Sequence, residues 1–135
     1  MTNWYVITGG PSSGKTTTVN LLKERGYKTT IEHALSKNDV IFLDRAVPDA
    51  LAYYRFQGLP EDHTLRDALH DVSYKKVFIL DPLPFVPDYA RTEDEAAQNK
   101  IHALLTGVYR SLPFPVVQVP VLPPDERVDF ILKNL

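Results

Sequence analysis

The run Gly9-Gly10-Pro11-Ser12-Ser13-Gly14-Lys15-Thr16 sets a glycine, a lysine and a hydroxyl after another glycine and four intervening residues. This is the G-x-x-x-x-G-K-[ST] spacing of a loop that cradles phosphates. Glycine permits backbone angles closed to other residues and lets amide N–H groups approach phosphate oxygens closely. A helix starting near Lys15 adds unpaired N–H donors and a partial positive charge. Lys15 brings a full charge to the β- and γ-phosphates, and the Thr16 hydroxyl is placed to ligate Mg²⁺. The nucleotide-binding set therefore runs from Gly9 through Gly10, Pro11, Ser12, Ser13, Gly14, Lys15 and Thr16 to Thr17. Its expected ligand is a nucleoside triphosphate, taken as ATP with GTP left open, and Mg²⁺ is the expected cofactor. A chance match in a chain of this length occurs roughly once in two hundred, given the ordinary frequency of glycine.

Three expected strands end in an acid, at Glu32, Asp44 and Asp81. Ligands of a parallel sheet sit beyond the carboxyl ends of its strands, so each acid is a candidate. Asp44 closes the run Val40 to Leu43 and is the candidate metal acid beside Thr16, with a solvated strand-end acid as the plain alternative. Glu32 is a candidate catalytic base and acceptor contact, weighed evenly against a surface acid. Asp81 precedes Pro82 and reads as a turn residue. Arg45 directly follows Asp44 and is a candidate clamp for a substrate phosphate or carboxylate. Arg91 precedes a long helical pattern, where a lid would bring it to the transferring phosphate; a surface ion pair competes for both arginines. His33, His63, His70 and His102 lack metal-ligand spacing and read as surface or packing residues. Tyr53 and Phe56 read as core, and the SKND run at 36–39 carries no assignment.

These residues need a scaffold, and the chain alternates short apolar runs with helical patterns, which predicts a three-layer α/β/α fold on a mostly parallel sheet. Strands are expected at Trp4 to Thr8, Tyr27 to Glu32, Val40 to Leu43, Lys76 to Leu80 and Val116 to Val119. Helices are expected from Lys15 to a stop at Gly26, over Ala50 to Phe56, over Leu65 to Val72, behind a Thr92/Glu95 capping box, and over Pro123 to Leu135. One join is short. Parallel strands need a crossover of about a dozen residues or more, and only 33–39 separates the second strand from the third. That pair is either an antiparallel hairpin or has lost a crossover segment near Ala34 and Leu35; the second is expected, because Asp44 must lie parallel to the first strand.

The chain has 135 residues, 44% of them hydrophobic and 24% charged, which suits a single globular domain spanning 1–135. A net charge of −2 gives no basic footprint, so nucleic acid is not the expected partner. Cysteine is absent, which excludes disulfides, thiolate metal sites and thiol catalysis. No apolar run approaches a membrane span, and the opening MTNWYVITGG reads as a buried strand and not a signal peptide. A cytoplasmic protein is expected.

The stretches WYVITGGPSSGKTTTVNLL, VIFLDRAVPDALAYYRF, DYARTEDEAA and VPVLPPDERVDFIL resemble the nicotinamide-riboside-kinase-like (NadR-type) AAA family of P-loop NTPases, kin to thymidylate and deoxynucleoside kinases. By that resemblance Asp44 and Arg45, followed by Pro48, Asp49 and Tyr53, match an Asp-Arg pair, and Asp88 and Arg91 match a lid Asp-x-x-Arg. Pro120 to Arg127 resembles the loop beside the adenine base, which implies a nucleotide contact for Arg127. The resemblance implies phosphoryl transfer from ATP to a small nucleoside- or riboside-like hydroxyl acceptor. Relatives carry a long helical segment after the second strand, which this chain lacks. A nucleotide-dependent switch or slow NTPase that binds a partner or lipid is the competing expectation.

Overall fold

The computed structural model describes residues 2–11, 13–30, 38–83 and 92–135, with the backbone alone at 92–94. In chain order the elements are β1 (Trp4–Thr8), α1 (Lys15–Glu24), β2 (Lys28–Thr30), β3 (Ile41–Asp44), α2 (Val47–Gln57), α3 (His63–Asp71), β4 (Lys76–Leu80), α4 (Thr92–Arg110), β5 (Val116–Val119) and α5 (Pro124–Lys133). The strands form one sheet in the order β2-β3-β1-β4-β5, parallel throughout.

The apolar runs are strands because both faces of the sheet are covered. Side chains alternate along β1, so Trp4 and Val6 face one layer and Tyr5 and Ile7 the other. The first layer packs Leu51 and Ala52 of α2, Leu65 of α3, and Leu105, Val108 and Tyr109 of α4. The second packs Val19 and Leu22 of α1 against Val128 and Ile131 of α5. This is the expected three-layer α/β/α arrangement. On the second face Phe42 stacks on Tyr5 and takes Tyr27 edge-on, with ring centroids 5.5 Å apart in each pair.

Helix ends follow local chemistry. Past α1, Gly26 adopts φ 92°, donates to Lys23 C=O, and lets Tyr27 N–H reach Leu22 C=O, a glycine-closed C-terminus. Helix α2 starts at Val47, three residues before the expected Ala50, because Pro48 fits the first turn and Asp49 takes the free Ala46 N–H. Helix α3 starts early for a similar reason: the Asp62 side chain accepts from Leu65 N–H at 2.8 Å.

The hairpin alternative is overturned, since Lys28, Thr29 and Thr30 pair in parallel with Ile41, Phe42 and Leu43. β2 is three residues long, so its end at Thr30 lies only about two residues along the sheet and one strand spacing, roughly 7 Å and 5 Å, from the start of β3 at Ile41. The junction expected near Ala34 and Leu35, and the Thr92/Glu95 capping box, lie outside what is described.

Candidate functional site

The phosphate-binding loop leaves the carboxyl end of β1, the central strand, where neighbours diverge to either side. It is folded tightly on itself. A Cβ at Gly9 would lie 2.6 Å from Ser13 Oγ and 3.0 Å from Leu80 C=O. Gly14 caps α1 in the left-handed region at φ 82°, and a Cβ there would meet the Arg127 guanidinium at 3.0 Å. Gly14 has no side-chain acceptor and the first turn of α1 has no acid. The leading amides of α1 are therefore left facing a place suited to an anion.

Lys15 opens α1, and its ammonium is ion-paired with the Asp44 carboxylate. The sheet makes this meeting possible, because Asp44 lies opposite Ile7 in the register of β1 and β3. Thr16 and Thr17 are exposed. An exposed hydroxyl and a half-exposed carboxylate, both hard oxygen donors, fit Mg²⁺, which takes few protein ligands and keeps waters and phosphate oxygens. Thr16 and Asp44 are the residues that would hold it. Among the described residues no cluster of three acidic or histidine side chains offers a self-sufficient metal site.

Arg45 follows in the left-handed region, at φ 66°, a costly conformation for a residue with a Cβ. Three contacts hold it there. Its N–H donates to Ile7 C=O at 3.0 Å, and its guanidinium donates to the Tyr53 hydroxyl at 2.6 Å while lying over that ring at 5.4 Å. Burial disfavours its charge, but the Tyr53 hydroxyl and the Asp49 and Asp44 carboxylates outweigh burial and raise its pKa. Tyr53 is therefore not a core residue. It is half-buried and carries Arg45, while Phe56, also half-buried, lies beneath the Lys100 ammonium at 5.8 Å.

The loop rests on three residues whose role the sequence did not disclose or assigned differently. Asp49, 4% exposed, accepts from the Thr8 hydroxyl at 2.6 Å, from Ala46 N–H at 3.2 Å and from the Tyr109 hydroxyl. Burial pushes its pKa up, against those three hydrogen bonds and the charge of Arg45. His102 of α4 accepts the Gly10 N–H at Nδ1, 3.3 Å away, so it is a loop support and not a surface group. Burial lowers its pKa, with the Asp81 charge opposing. Arg127, 2% exposed, donates to three carbonyls: Ser13, Asp81 at 2.6 Å and Pro120 at 3.2 Å. Its guanidinium N–H groups hold the back of the loop through Ser13. Asp81, read as a turn residue, instead extends the pairing of β4 with β5, its N–H donating to Val119 C=O at 2.9 Å, and its carboxylate accepts from Gln118 Nε2 at 3.0 Å. Glu32, Arg91 and Ser12 lie outside the described residues.

Compared with known families, the chain matches the AAA domain model over residues 4–36 and again over 29–127. The chain belongs to the AAA domain family. No curated protein matches it in sequence. Solved structures do resemble this AAA domain. A thymidylate kinase from Ehrlichia chaffeensis superposes with a TM-score of 0.66 at 12% identity, covering 97% of each chain. The YorR protein of Bacillus subtilis, solved in complex with phosphorylated GDP, gives 0.66 at 18% identity, covering 97% of this chain and 94% of that one. A deoxyadenosine kinase from M. mycoides gives 0.57 at 15% identity, covering 97% of each. At such identities the likeness establishes the fold, that of P-loop kinases. Among the described residues no helix is long and apolar enough to cross a membrane.

Proposed function

We propose that this AAA domain binds ATP·Mg²⁺ at residues 9–17 and transfers the γ-phosphoryl group to a hydroxyl of a small nucleoside- or riboside-like acceptor. The observation that carries the reading is the convergence of Lys15, the first residue of α1, with Asp44, the last residue of β3, beside the open first turn of α1. Lys15 would neutralise phosphate charge, and Thr16 and Asp44 would hold the metal. When bound, Mg²⁺ supplies further charge neutralisation across the β- and γ-phosphates. In the transfer, the acceptor oxygen bonds to the γ-phosphorus as the bond to the bridging oxygen breaks, and ADP leaves. The hydroxyl proton passes to a carboxylate, for which Glu32 is the candidate from the sequence. Arg45, presented on Tyr53, would bind the acceptor, and Arg91 is assigned from sequence to the transferring phosphate.

The NadR-type assignment belongs to this proposal, as does a cytoplasmic location, where ATP is available. So does additional chain between β2 and β3 in relatives, which the two overlapping stretches of the family match support. The ten-residue connection here favours a second reading, because it leaves little chain to build an acceptor site. On that reading the protein is a nucleotide-dependent switch or slow NTPase. A screen of nucleosides and ribosides with labelled ATP decides between them. Phosphorylated acceptor supports the kinase; slow release of phosphate with no acceptor product supports the switch.

A further inference from the structure

The segments that would hold the metal come from different strands. Thr16 belongs to the loop and helix that follow β1, and Asp44 ends β3. Two ligands shared between separate segments meet one cation only if those segments are held at a fixed separation. Backbone pairing stops at Ile7 and Asp44, where the register of the two strands ends, with one more bond from Arg45 N–H to Ile7 C=O. Beyond that point side chains must take over. Asp49 does so: its Oδ2 accepts the hydroxyl of Thr8, the last residue before the loop, and its Oδ1 accepts Ala46 N–H, two residues past Asp44. The Tyr109 hydroxyl on α4 locks the same oxygen from behind. Thr8 is fully buried, Tyr109 likewise, and Asp49 is 4% exposed.

A buried carboxylate with hydroxyl and amide donors is a demanding way to join two segments. Leaving any of its partners unmet costs the desolvation of that group, so the geometry is narrow. An apolar residue would fill the space without fixing a separation. The carboxylate thus does something that packing alone would not.

We propose that Asp49 is a positioning residue that holds the root of the phosphate-binding loop and the Asp44–Arg45 turn in one relation, so that Thr16 and Asp44 meet a single divalent cation. This rests on the nucleotide·Mg²⁺ reading of the site. The consequence is specific: loosening the Asp49 contacts lowers the gain in nucleotide affinity that Mg²⁺ brings, and leaves metal-free affinity nearly intact.

The test is calorimetry of ATP binding, once with Mg²⁺ and once with EDTA, on the wild type, Thr8→Val, Thr8→Ser and Tyr109→Phe. Thr8→Val keeps the shape and removes the hydroxyl, Thr8→Ser restores it, and neither depends on folding with Asp49 itself removed. The ratio of the two dissociation constants does not move with the folded fraction, so it separates positioning from stability. Supporting residues around metal ligands typically carry 10- to 100-fold in metal affinity, so Thr8→Val is expected to lose roughly tenfold of the ratio. Tyr109→Phe should lose part of it, and Thr8→Ser should keep it. An unchanged ratio in Thr8→Val and Tyr109→Phe, with only their melting temperatures lowered, overturns the assignment. A wild type that fails to bind ATP in either condition sinks the nucleotide reading itself, and the assignment of Asp49 with it.

Discussion

The Lys15 ammonium at the start of α1 and the Asp44 carboxylate at the end of β3 neutralise each other. A triphosphate that draws Lys15 towards its oxygens leaves Asp44 without that partner and facing further negative charge. A divalent cation held by Thr16 and Asp44 would remove the difficulty by supplying compensating positive charge. Nucleotide and metal are then expected to favour each other's binding.

Asp44→Asn should therefore act in opposite directions on two measurements. Without metal, ATP should bind as well as or better than to wild type, because Lys15 is released and the repelling charge is gone. With Mg²⁺, turnover should fall by roughly a hundredfold, consistent with the loss of a metal-mediated charge contribution of several kcal/mol. Titration calorimetry in EDTA, alongside phosphate release in Mg²⁺, reads both. Weaker metal-free binding with undiminished turnover would show that Asp44 is not the metal acid.

Lys15→Ala removes the only full positive charge in the 9–17 loop, and leaves Asp44 half-buried without its partner. Tight binding of ATP·Mg²⁺ should be lost, while helix content by circular dichroism stays near that of the wild type. Retained affinity in calorimetry would refute the assignment of the loop.

Much of the scaffold was legible because its strands are continuous apolar runs buried on two faces. β1, β4 and β5 occupy the expected residues for that reason. Boundaries moved where a side chain took over a helix end, as Asp49 does at α2 and Asp62 at α3. The loop itself could be read because its chemistry is local, fixed by glycines and a helix start. Its supports could not. Asp49 reaches Thr8 across 41 residues and Tyr109 across 60, and His102 reaches Gly10 across 92. A lone buried acid or histidine carries no periodic signal; the one local cue was an acid placed directly after Pro48 in a first helical turn.

The buried acid gives a pH signature. Burial raises Asp49 above its ordinary value of 3.8, so the folded state holds that proton more tightly than the unfolded chain. Its contribution to stability is fully present below 3.8 and is lost as pH rises through the raised folded value. Asn at this position does not titrate. The stability of Asp49→Asn relative to wild type should therefore improve as pH rises from below 3.8 through the raised folded value, then level off. Thermal melts across that range would show it, and a difference moving the other way would mean that Asp49 ionises more readily in the fold than in the open chain.

His102 supplies a second signature, of opposite sign. Its folded pKa lies below the ordinary 6.5, so its contribution is present above that value and fades as pH falls through the lowered one. Protonation also removes the lone pair that accepts Gly10 N–H. The Gly10 amide resonance should shift in that acidic window, and His102→Phe should abolish the shift. A Gly10 titration that persists in the variant would point to another group.

Arg127 offers a way to tell a loop support from a base contact. The resemblance placed it beside adenine, whereas the structure turns its guanidinium onto the carbonyls of Ser13, Asp81 and Pro120. Lysine cannot reproduce that contact, because one ammonium lacks the planar fork that reaches several acceptors in fixed directions. Arg127→Lys should leave one or more buried carbonyls unmet, at about 1–3 kcal/mol each, and lower the melting temperature accordingly. With Ser13 released, the loop loses its shape for phosphate whatever base is attached. Affinity for inorganic tripolyphosphate should therefore fall by the same factor as affinity for ATP, measured well below the melting temperature. A base contact makes a different demand: ATP would weaken, tripolyphosphate would not, and the preference for ATP over GTP would narrow. That second pattern would return Arg127 to the base and leave Ser13 to be held by the rest of the loop.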